Sequence, residues 1–356
     1  MLRGCDRPGR RIPGKLHSRA SPYQEARRTL PEPEITVIIP TWNRWDLLRD
    51  CLDALDEQTE PGRILVVDNG SQDGTREGLR RNYPHVQVLA LTRNLGFARA
   101  VNLALERVRT PYVALLNNDA VADRAWLAAG LAGLRGHPEY SFFASRMIQL
   151  QHPDRLDSAG DCYGRTGLPV KRGFGRPADA YPMAEEVLSA SAGAAFYRRE
   201  VFRSVGGFDE TFHLYLEDVE WSLRARLFGH RCLYLPDAVV YHWEAASDPD
   251  RSTWSSSRVD RAFYSSERVF WITRNRWQLM VQYQPLRNTP WLLYGWMRSF
   301  LFHLLKAGYT RDFLRGLAAG VRLTPRALER RRRLKASGVL SKKELCRLLR
   351  AYSPSA

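Results

Sequence analysis

The sequence predicts an α/β protein, a mostly parallel sheet flanked by helices, with a helical extension at the C-terminal end. Three observations lead there. Short apolar runs at residues 35–39, 64–67 and 112–116 show no alternation and so read as strands buried on both faces, and residues 86–90 read as a further strand. The segments between them space apolar residues helically, which is the pattern of βαβ units. Two of the runs end on polar groups, Asp68 and Asn117-Asn118-Asp119. In open α/β sheets, ligands are met beyond the carboxyl ends of such strands.

The first run is β-branched and ends at Pro40-Thr41. Leu47, Leu48, Cys51, Leu52 and Leu55 then recur at helical spacing. The second strand ends at Asp68, ahead of the turn Asn69-Gly70-Ser71, and residues 74–81 read as helix. After the third strand, Ala98, Val101, Leu105 and Val108 share one helical face. The fourth strand leads into Asn117-Asn118-Asp119, and residues 125–134 form the next helix. Residues 151–186 are rich in Gly, Pro and Asp, as expected of loops and short strands in an acceptor-shaping insertion. Order returns at residues 188–198, with a helix from Glu200. Residues 219–228 read as a strongly amphipathic helix, and 231–235 and 239–242 as closing strands. Beyond Arg258 the chain is helical, aromatic and basic.

The 356 residues are 44% hydrophobic and 26% charged, enough for a substantial core in one large domain or two smaller ones. The formal net charge of +16 suits nucleic acid, an anionic membrane face or a phosphorylated substrate. Much of it lies at the ends. Residues 3–28 are rich in Arg and Pro and predict a disordered basic extension over 1–33, while Arg330 to Arg333 and Lys342-Lys343 suit a solvated face. Specific nucleic-acid recognition is not expected, because no recognition motif accompanies the charge. The five cysteines are scattered without a Cys-x-x-Cys pair, so a zinc knuckle or disulfide framework is not expected and a reducing cytoplasm is. No secretory h-region follows the basic start. Residues 291–305 are apolar but interrupted by Arg298 and His303, too short and polar to span a bilayer.

Gly-x-Gly-x-x-Gly is missing from the first βα turn, as is a Walker-type loop, which argues against a dinucleotide enzyme and a P-loop enzyme. Thr41, Asp68 and Asn117-Asn118-Asp119 stand at three strand ends instead. A carboxylate after the second strand can accept hydrogen bonds from a base or ribose; Asp68 equally suits an Asx turn before Gly70. A carboxylate after the fourth can hold a divalent metal against a diphosphate. Glu217-Asp218 precedes a helix, where a carboxylate serves as a cap. The pair also follows apolar Phe212, Leu214, Tyr215 and Leu216, surroundings that suit a general base. His242 ends a strand and reads as a structural residue or a ligand.

The chain resembles the inverting family 2 glycosyltransferases, particularly the bacterial rhamnosyltransferase-like branch. The matching segments are Thr36-Val-Ile-Ile-Pro-Thr-Trp-Asn-Arg44, Val66-Val-Asp-Asn-Gly-Ser-Gln-Asp-Gly-Thr75, Asn94-Leu-Gly-Phe-Ala98 with Asn102, and Leu115-Leu-Asn-Asn-Asp119. Gly206-Gly-Phe-Asp-Glu210, Glu217-Asp-Val219 and Tyr241-His242 follow in family order. Each motif is weak alone; the ordered set over residues 35–285 is specific.

The resemblance implies a GT-A-like, Rossmann-type fold over 34–285 and a helical, basic region over 286–356. It implies nucleotide-sugar contacts from Pro40, Thr41, Asn43, Arg44, Asp68, Asn69, Arg93, Asn94, Gly96, Asn102, Asn117 and Asn118. Asp119 matches the last position of the family's Asp-x-Asp metal motif, and His242 a histidine that completes the metal site in some members. Mg²⁺ or Mn²⁺ is the implied cofactor. Asp218 matches the catalytic base, with Glu217 supporting it. The first motif aspartate is replaced here by Asn117, whose amide adds no negative charge. The implied donor is dTDP-L-rhamnose and the acceptor a glycan or lipid-linked glycan in cell-surface polysaccharide synthesis. A UDP-hexose or UDP-galactofuranose donor is the alternative within the family, and a non-catalytic glycan or nucleotide-sugar binding module the alternative outside it. Residues 291–305, with aromatic and basic flanks, read either as a helix lying in a membrane interface or as a core helix. The first reading places the protein in the cytoplasm, peripheral on the inner-membrane face.

Overall fold

A computed structural model describes residues 32–243, 265–339 and 341–352. Residues 1–31 of the anticipated N-terminal extension, and residue 258, fall outside them. Among the described residues the first half is the expected alternation. Strand β1 (Ile35–Thr41) leads to helix α1 (Trp45–Asp56), β2 (Arg63–Asp68) to α2 (Thr75–Asn82), and β3 (Gln87–Ala90) to α3 (Phe97–Leu105) and β4 (Tyr112–Leu116). Then come β5 (Ala120–Ala122), α4 (Trp126–Gly136), β6 (Phe142–Gln149), β7 (His152–Ser158), β8 (Asp161–Tyr163), β9 (Pro169–Lys171), β10 (Glu185–Val187) and β11 (Ala194–Arg198). Short α5 (Val201–Val205), α6 (Glu217–Leu227) and β12 (Cys232–His242) complete this half.

The sheet runs β10-β12-β6-β11-β4-β1-β2-β3, with β5 on β12 and β7 on β6. Four of the seven pairings along this path are parallel; β11 runs against both β4 and β6. Successive residues of a strand point to opposite faces. Val37 and Leu116 therefore join one core with Leu48, Leu52, Trp126 and Phe196. Ile38 and Leu115 join the other with Val101 and Trp221. That is why these strands carry no polar alternation.

Two expectations are revised. The closing strands are one strand, β12, whose register on β6 shifts between Leu235 and Val239. Pro236 lies in that gap, where its missing N–H costs no ladder bond. Helix α6 is not amphipathic: ten of its eleven residues are buried. One buried pair is internal to it, with Arg224 Nη2 2.8 Å from Glu220 one turn earlier, and Tyr283 Oη donates to Glu220 at 2.7 Å.

The C-terminal part is helical as expected: α7 (Ser266–Tyr283), α8 (Thr289–Phe302), α9 (Thr310–Arg322), α10 (Thr324–Ala336) and α11 (Lys342–Ala351). Leu345, Leu348 and Leu349 of α11 pack on Leu223, Leu227 and Tyr283. The described residues contain no helix long and apolar enough to cross a membrane.

Candidate active site

The carboxyl ends of β1, β2 and β4 converge. Thr41 lies opposite Asp68 in the β1–β2 register, and Asn118 Nδ2 donates to Thr41 Oγ1 at 2.9 Å. Asn43 and Arg44 both hold left-handed backbone, φ 58° and 61°. The Asn43 N–H donates to Ser71 Oγ at 2.8 Å, and Gln72 N donates back to Asn43 Oδ1 at 2.9 Å. Arg44 pairs with Asp46 at 3.2 Å. Pro40 sits within β1 opposite Val67.

Asp68 is fully buried, and protein groups engage both of its oxygens. Ser71 N donates to Oδ1 at 2.9 Å, forming the anticipated turn, and Arg76 Nε pairs with Oδ2. Asn69 Nδ2 donates to Asn94 Oδ1 at 3.0 Å and to the Gly96 carbonyl at 3.2 Å, while its Oδ1 accepts from Leu95 N at 2.8 Å. Asn94 Oδ1 also accepts from Gly96 N at 2.9 Å. These amides hold the loop that carries exposed Arg93. The loop lies so close that a Cβ on Gly70 would come within 2.6 Å of Arg93 Cα, and Gly70 has φ +85°. Only glycine suits that position. Asn102 is spent similarly, with Nδ2 on the Phe208 carbonyl at 2.9 Å and Oδ1 accepting Phe208 N at 2.8 Å. It anchors the Gly206-Gly-Phe-Asp-Glu210 loop.

The β5–β12 pairing sets Ala120 opposite His242 and so brings Asp119 and His242 together. His242 Nε2 is 3.3 Å from Asp119 Oδ1, and its Nδ1 is 2.9 Å from Asp157 Oδ2. Lys171 Nζ donates to Asp157 Oδ1 at 2.6 Å. Burial pushes the His242 pKa down, but the Asp119 and Asp157 carboxylates outweigh it and hold the imidazole up at about 10. Asp157 is penalised by burial, yet Lys171 and His242 keep it below the usual carboxylate range. Asp119 Oδ1 is buried without a well-formed hydrogen bond. That orphaned oxygen beside an imidazole nitrogen is a donor set a divalent ion accepts. No third His, Cys, Asp or Glu joins it among the described residues. Asp157 and Lys171 carry no sequence signal: they lie in the Gly- and Pro-rich insertion, and only folding of β7 and β9 sets them behind His242.

Glu217 and Asp218 open α6. Asp218 Oδ2 accepts the Ala192 N–H at 3.1 Å and Oδ1 the Val219 N–H at 2.8 Å. One residue beyond Ala192, the Gly193 carbonyl accepts the Asn117 N–H at 2.9 Å, so a short bonded path joins the acidic pair to the Asn-Asn-Asp end of β4. Burial raises the Asp218 pKa, opposed by those N–H donors. Glu217 is buried with Oε2 unpartnered, and burial followed by the Asp218 charge pushes its pKa well up. Asp161 of β8 is raised by burial and then by Asp218, which makes it a third acidic neighbour. A carboxylate kept only to cap a helix would not leave an oxygen buried and unsatisfied.

Comparison with known proteins agrees with the α/β architecture. Residues 36–206 match the family model for glycosyl transferase family 2. The chain is 30% identical over 239 residues to the N-acetylglucosaminyl-diphospho-decaprenol L-rhamnosyltransferase of Mycobacterium tuberculosis H37Rv, covering 60% of this chain and 77% of that one. It is 28% identical over 220 residues to the O-antigen chain rhamnosyltransferase RfbN of Salmonella typhimurium, covering 59% and 66%. Among solved structures it resembles S. aureus TarS 1-349 in complex with UDP-GlcNAc, with TM-score 0.53, 17% identity and coverage of 90% and 91%. It also resembles the mannosyltransferase PcManGT of Pyrobaculum calidifontis in complex with GDP-Man and Mn²⁺, with TM-score 0.50, 19% identity and coverage of 93% and 90%. The chain belongs to glycosyltransferase family 2, with the GT-A fold.

The segment before Glu217 depends on a residue some 60 positions further along the chain. His213, Tyr215 and Leu216 all have φ between 62° and 67°. Left-handed backbone costs a non-glycine residue roughly 1–2 kcal/mol. Buried Asn275 of α7 offsets this, its Nδ2 lying 2.8 Å from each of the Phe212, Leu214 and Tyr215 carbonyls. Two hydrogens are shared among three acceptors. Asn275→Ala is expected to lower kcat by about 10- to 100-fold through misplacement of Asp218, with donor KM within about twofold. Steady-state kinetics check the split; an equal loss in donor binding would show general unfolding instead.

Proposed function

We propose that the protein is a metal-assisted, inverting glycosyltransferase. It would move rhamnose from dTDP-L-rhamnose to a glycan or lipid-linked glycan acceptor in cell-surface polysaccharide synthesis. One observation carries the reading: Asp119, beyond β4, lies beside His242 at the end of β12, while hydrogen bonds through Ala192 and Gly193 link partly exposed Asp218, of raised pKa, to Asn117 at the same strand end. The first group suits the diphosphate end of a donor and the second an acceptor hydroxyl. The relatives' names favour rhamnose and a polyprenyl-diphosphate type of acceptor.

Asp218 would accept the proton of the acceptor hydroxyl as its oxygen attacks the anomeric carbon from the face opposite the nucleoside diphosphate. The new C–O bond forms as the old one breaks, so the configuration inverts and no sugar–enzyme bond is made. Sugar transfer of this kind develops oxocarbenium character. Burial and then the Asp218 charge push the Glu217 pKa well up, which disfavours two adjacent negative charges in the acidic pair. Asp119 and His242 are the residues that would hold Mg²⁺ or Mn²⁺, whose charge would stabilise the departing diphosphate. Asn69, Asn94 and Asn102 would act by holding loops in place, since their amides are already bonded within the protein. Exposed Arg93 is placed for direct contact.

A donor screen with Mg²⁺ or Mn²⁺ tests this. dTDP-L-rhamnose is expected to raise the unfolding midpoint most, by the equivalent of about 2.7 kcal/mol at one hundred times Kd. A larger effect from a UDP-hexose would overturn the donor assignment. Failure of every nucleotide sugar would overturn the transferase reading.

A further inference from the structure

Helix α8 carries its apolar stripe on the solvent side. Leu293, Tyr294, Met297, Leu301, Leu304 and Leu305 are all exposed, Leu293 to 66% and Leu305 to 75%. On α8 they recur three or four residues apart, which places them on one face, and the last two extend it through the following turn. Leu292 and Gly295 face the protein instead. A Cβ on Gly295 would lie 2.4 Å from the Thr166 carbonyl, so the helix backbone rests directly on the turn after β8. Buried Arg276 locks the same contact, with Nε donating to the Gly167 carbonyl at 2.8 Å and Nη1 to Ser299 Oγ at 2.7 Å. The stripe is therefore held outward by a built interface, and helix rotation would break that interface.

A stripe of this size on a soluble face needs a cover. Its surroundings select one. Residues 285–322 contain six Lys or Arg and a single acid, Asp312. Exposed Arg165 lies over the Trp291 ring at 4.9 Å, exposed Arg287 stands two residues before α8, and exposed Arg298 follows Met297 within it. A second copy of the chain would bring these cations against one another across the contact. An anionic bilayer matches them, with leucines in the acyl boundary and Trp and Tyr at headgroup level. The 14 residues of α8 span about 21 Å, short of the hydrocarbon core and suited to lying in its surface.

We infer that the exposed face of α8 docks the protein onto anionic membrane surface, with the β8–β9 turn held beside the lipid. The turn begins one residue after β8, the strand that carries Asp161, so docking sets the acidic side of the site near the bilayer. The inference rests on surface geometry and stands apart from the donor assignment.

The test is flotation of the full-length protein with phosphatidylcholine vesicles and with phosphatidylcholine–phosphatidylglycerol vesicles at two salt concentrations. Binding is expected only with phosphatidylglycerol and should weaken with salt. Met297→Glu with Leu301→Glu should lower it at least about tenfold at an unchanged unfolding midpoint. Arg287→Glu with Arg298→Glu should remove the preference for anionic lipid. Failure of the parent protein to float, or full binding by the Met297/Leu301 variant, overturns the inference. So does a parent dimer that the same variant dissociates, which would assign the stripe to self-association. Nucleotide-sugar thermal shift, followed in every arm, reports the donor site separately.

Discussion

Asp218→Asn is expected to abolish sugar transfer while donor binding survives. A positioned general base contributes about 10² to 10⁴ in rate, and kcat should fall by that order. The amide keeps the shape and can still face the Ala192 and Val219 N–H groups, but it cannot take a proton. The pH profile carries the second signature. Burial raises the Asp218 pKa, so the parent enzyme should gain activity as pH rises through that pKa and the carboxylate forms. The variant should lose this limb. Near-full transfer by Asp218→Asn on a proven acceptor would remove Asp218 from the base role and leave it as part of the α6 start. Glu217→Gln separates the pair: because burial and the Asp218 charge push the Glu217 pKa well up, the neutral amide should preserve far more activity than Asp218→Asn.

The second large effect is at the split donor site. Asp119→Ala and His242→Ala are each expected to abolish metal-dependent donor binding, a loss of at least about 100-fold in affinity. Second-sphere changes alone reach 10- to 100-fold. Mn²⁺ titration read by electron paramagnetic resonance, without donor or acceptor, checks the ion apart from activity. If only Asp119 matters, His242 is a structural residue of β12. The sign with pH follows from the imidazole. Its pKa rises from 6.5 to about 10 in the fold. The stabilisation from the Asp119–His242–Asp157 array is therefore fully present below 6.5 and lost as pH rises through about 10 in metal-free protein. His242→Ala should flatten that fall in unfolding midpoint. A bound ion displaces the imidazole proton, so Mn²⁺ affinity should climb with pH until the imidazole is neutral.

How far the site was legible depends on the kind of signal each residue leaves. Asp68 and Asp119 were visible because each terminates an unalternated apolar run, and a buried parallel strand has no other place to put a carboxylate. Glu217-Asp218 was visible because two acids follow an apolar segment. What those residues do to one another was not. Asp68 proves to spend both oxygens on Ser71 and Arg76. Asn69 and Asn102, matched by resemblance to donor contacts, spend their amides on backbone. Asp157, Lys171 and Asn275 had no spacing to betray them, because their partners lie 85, 14 and about 60 residues away. Helix α6 reads as amphipathic in the sequence because one-dimensional periodicity does not know that a second helical layer covers the outer face.

The sequence by itself determined the alternation of strands and helices, the family, and the three strand ends that carry Thr41, Asp68 and Asp119. These follow from local hydrophobic pattern and ordered motifs, which need no partner. Tertiary structure alone decided that β5 pairs with β12 and so puts His242 beside Asp119, that Asp157 and Lys171 stand behind it, and that Asn275 clamps the left-handed turn ahead of Glu217. It also decided which face of α8 looks outward. Apolar residues at helical spacing look alike whether they face core or solvent, and only the seat of Gly295 and Leu292 on the β8–β9 turn turns that stripe away from the protein.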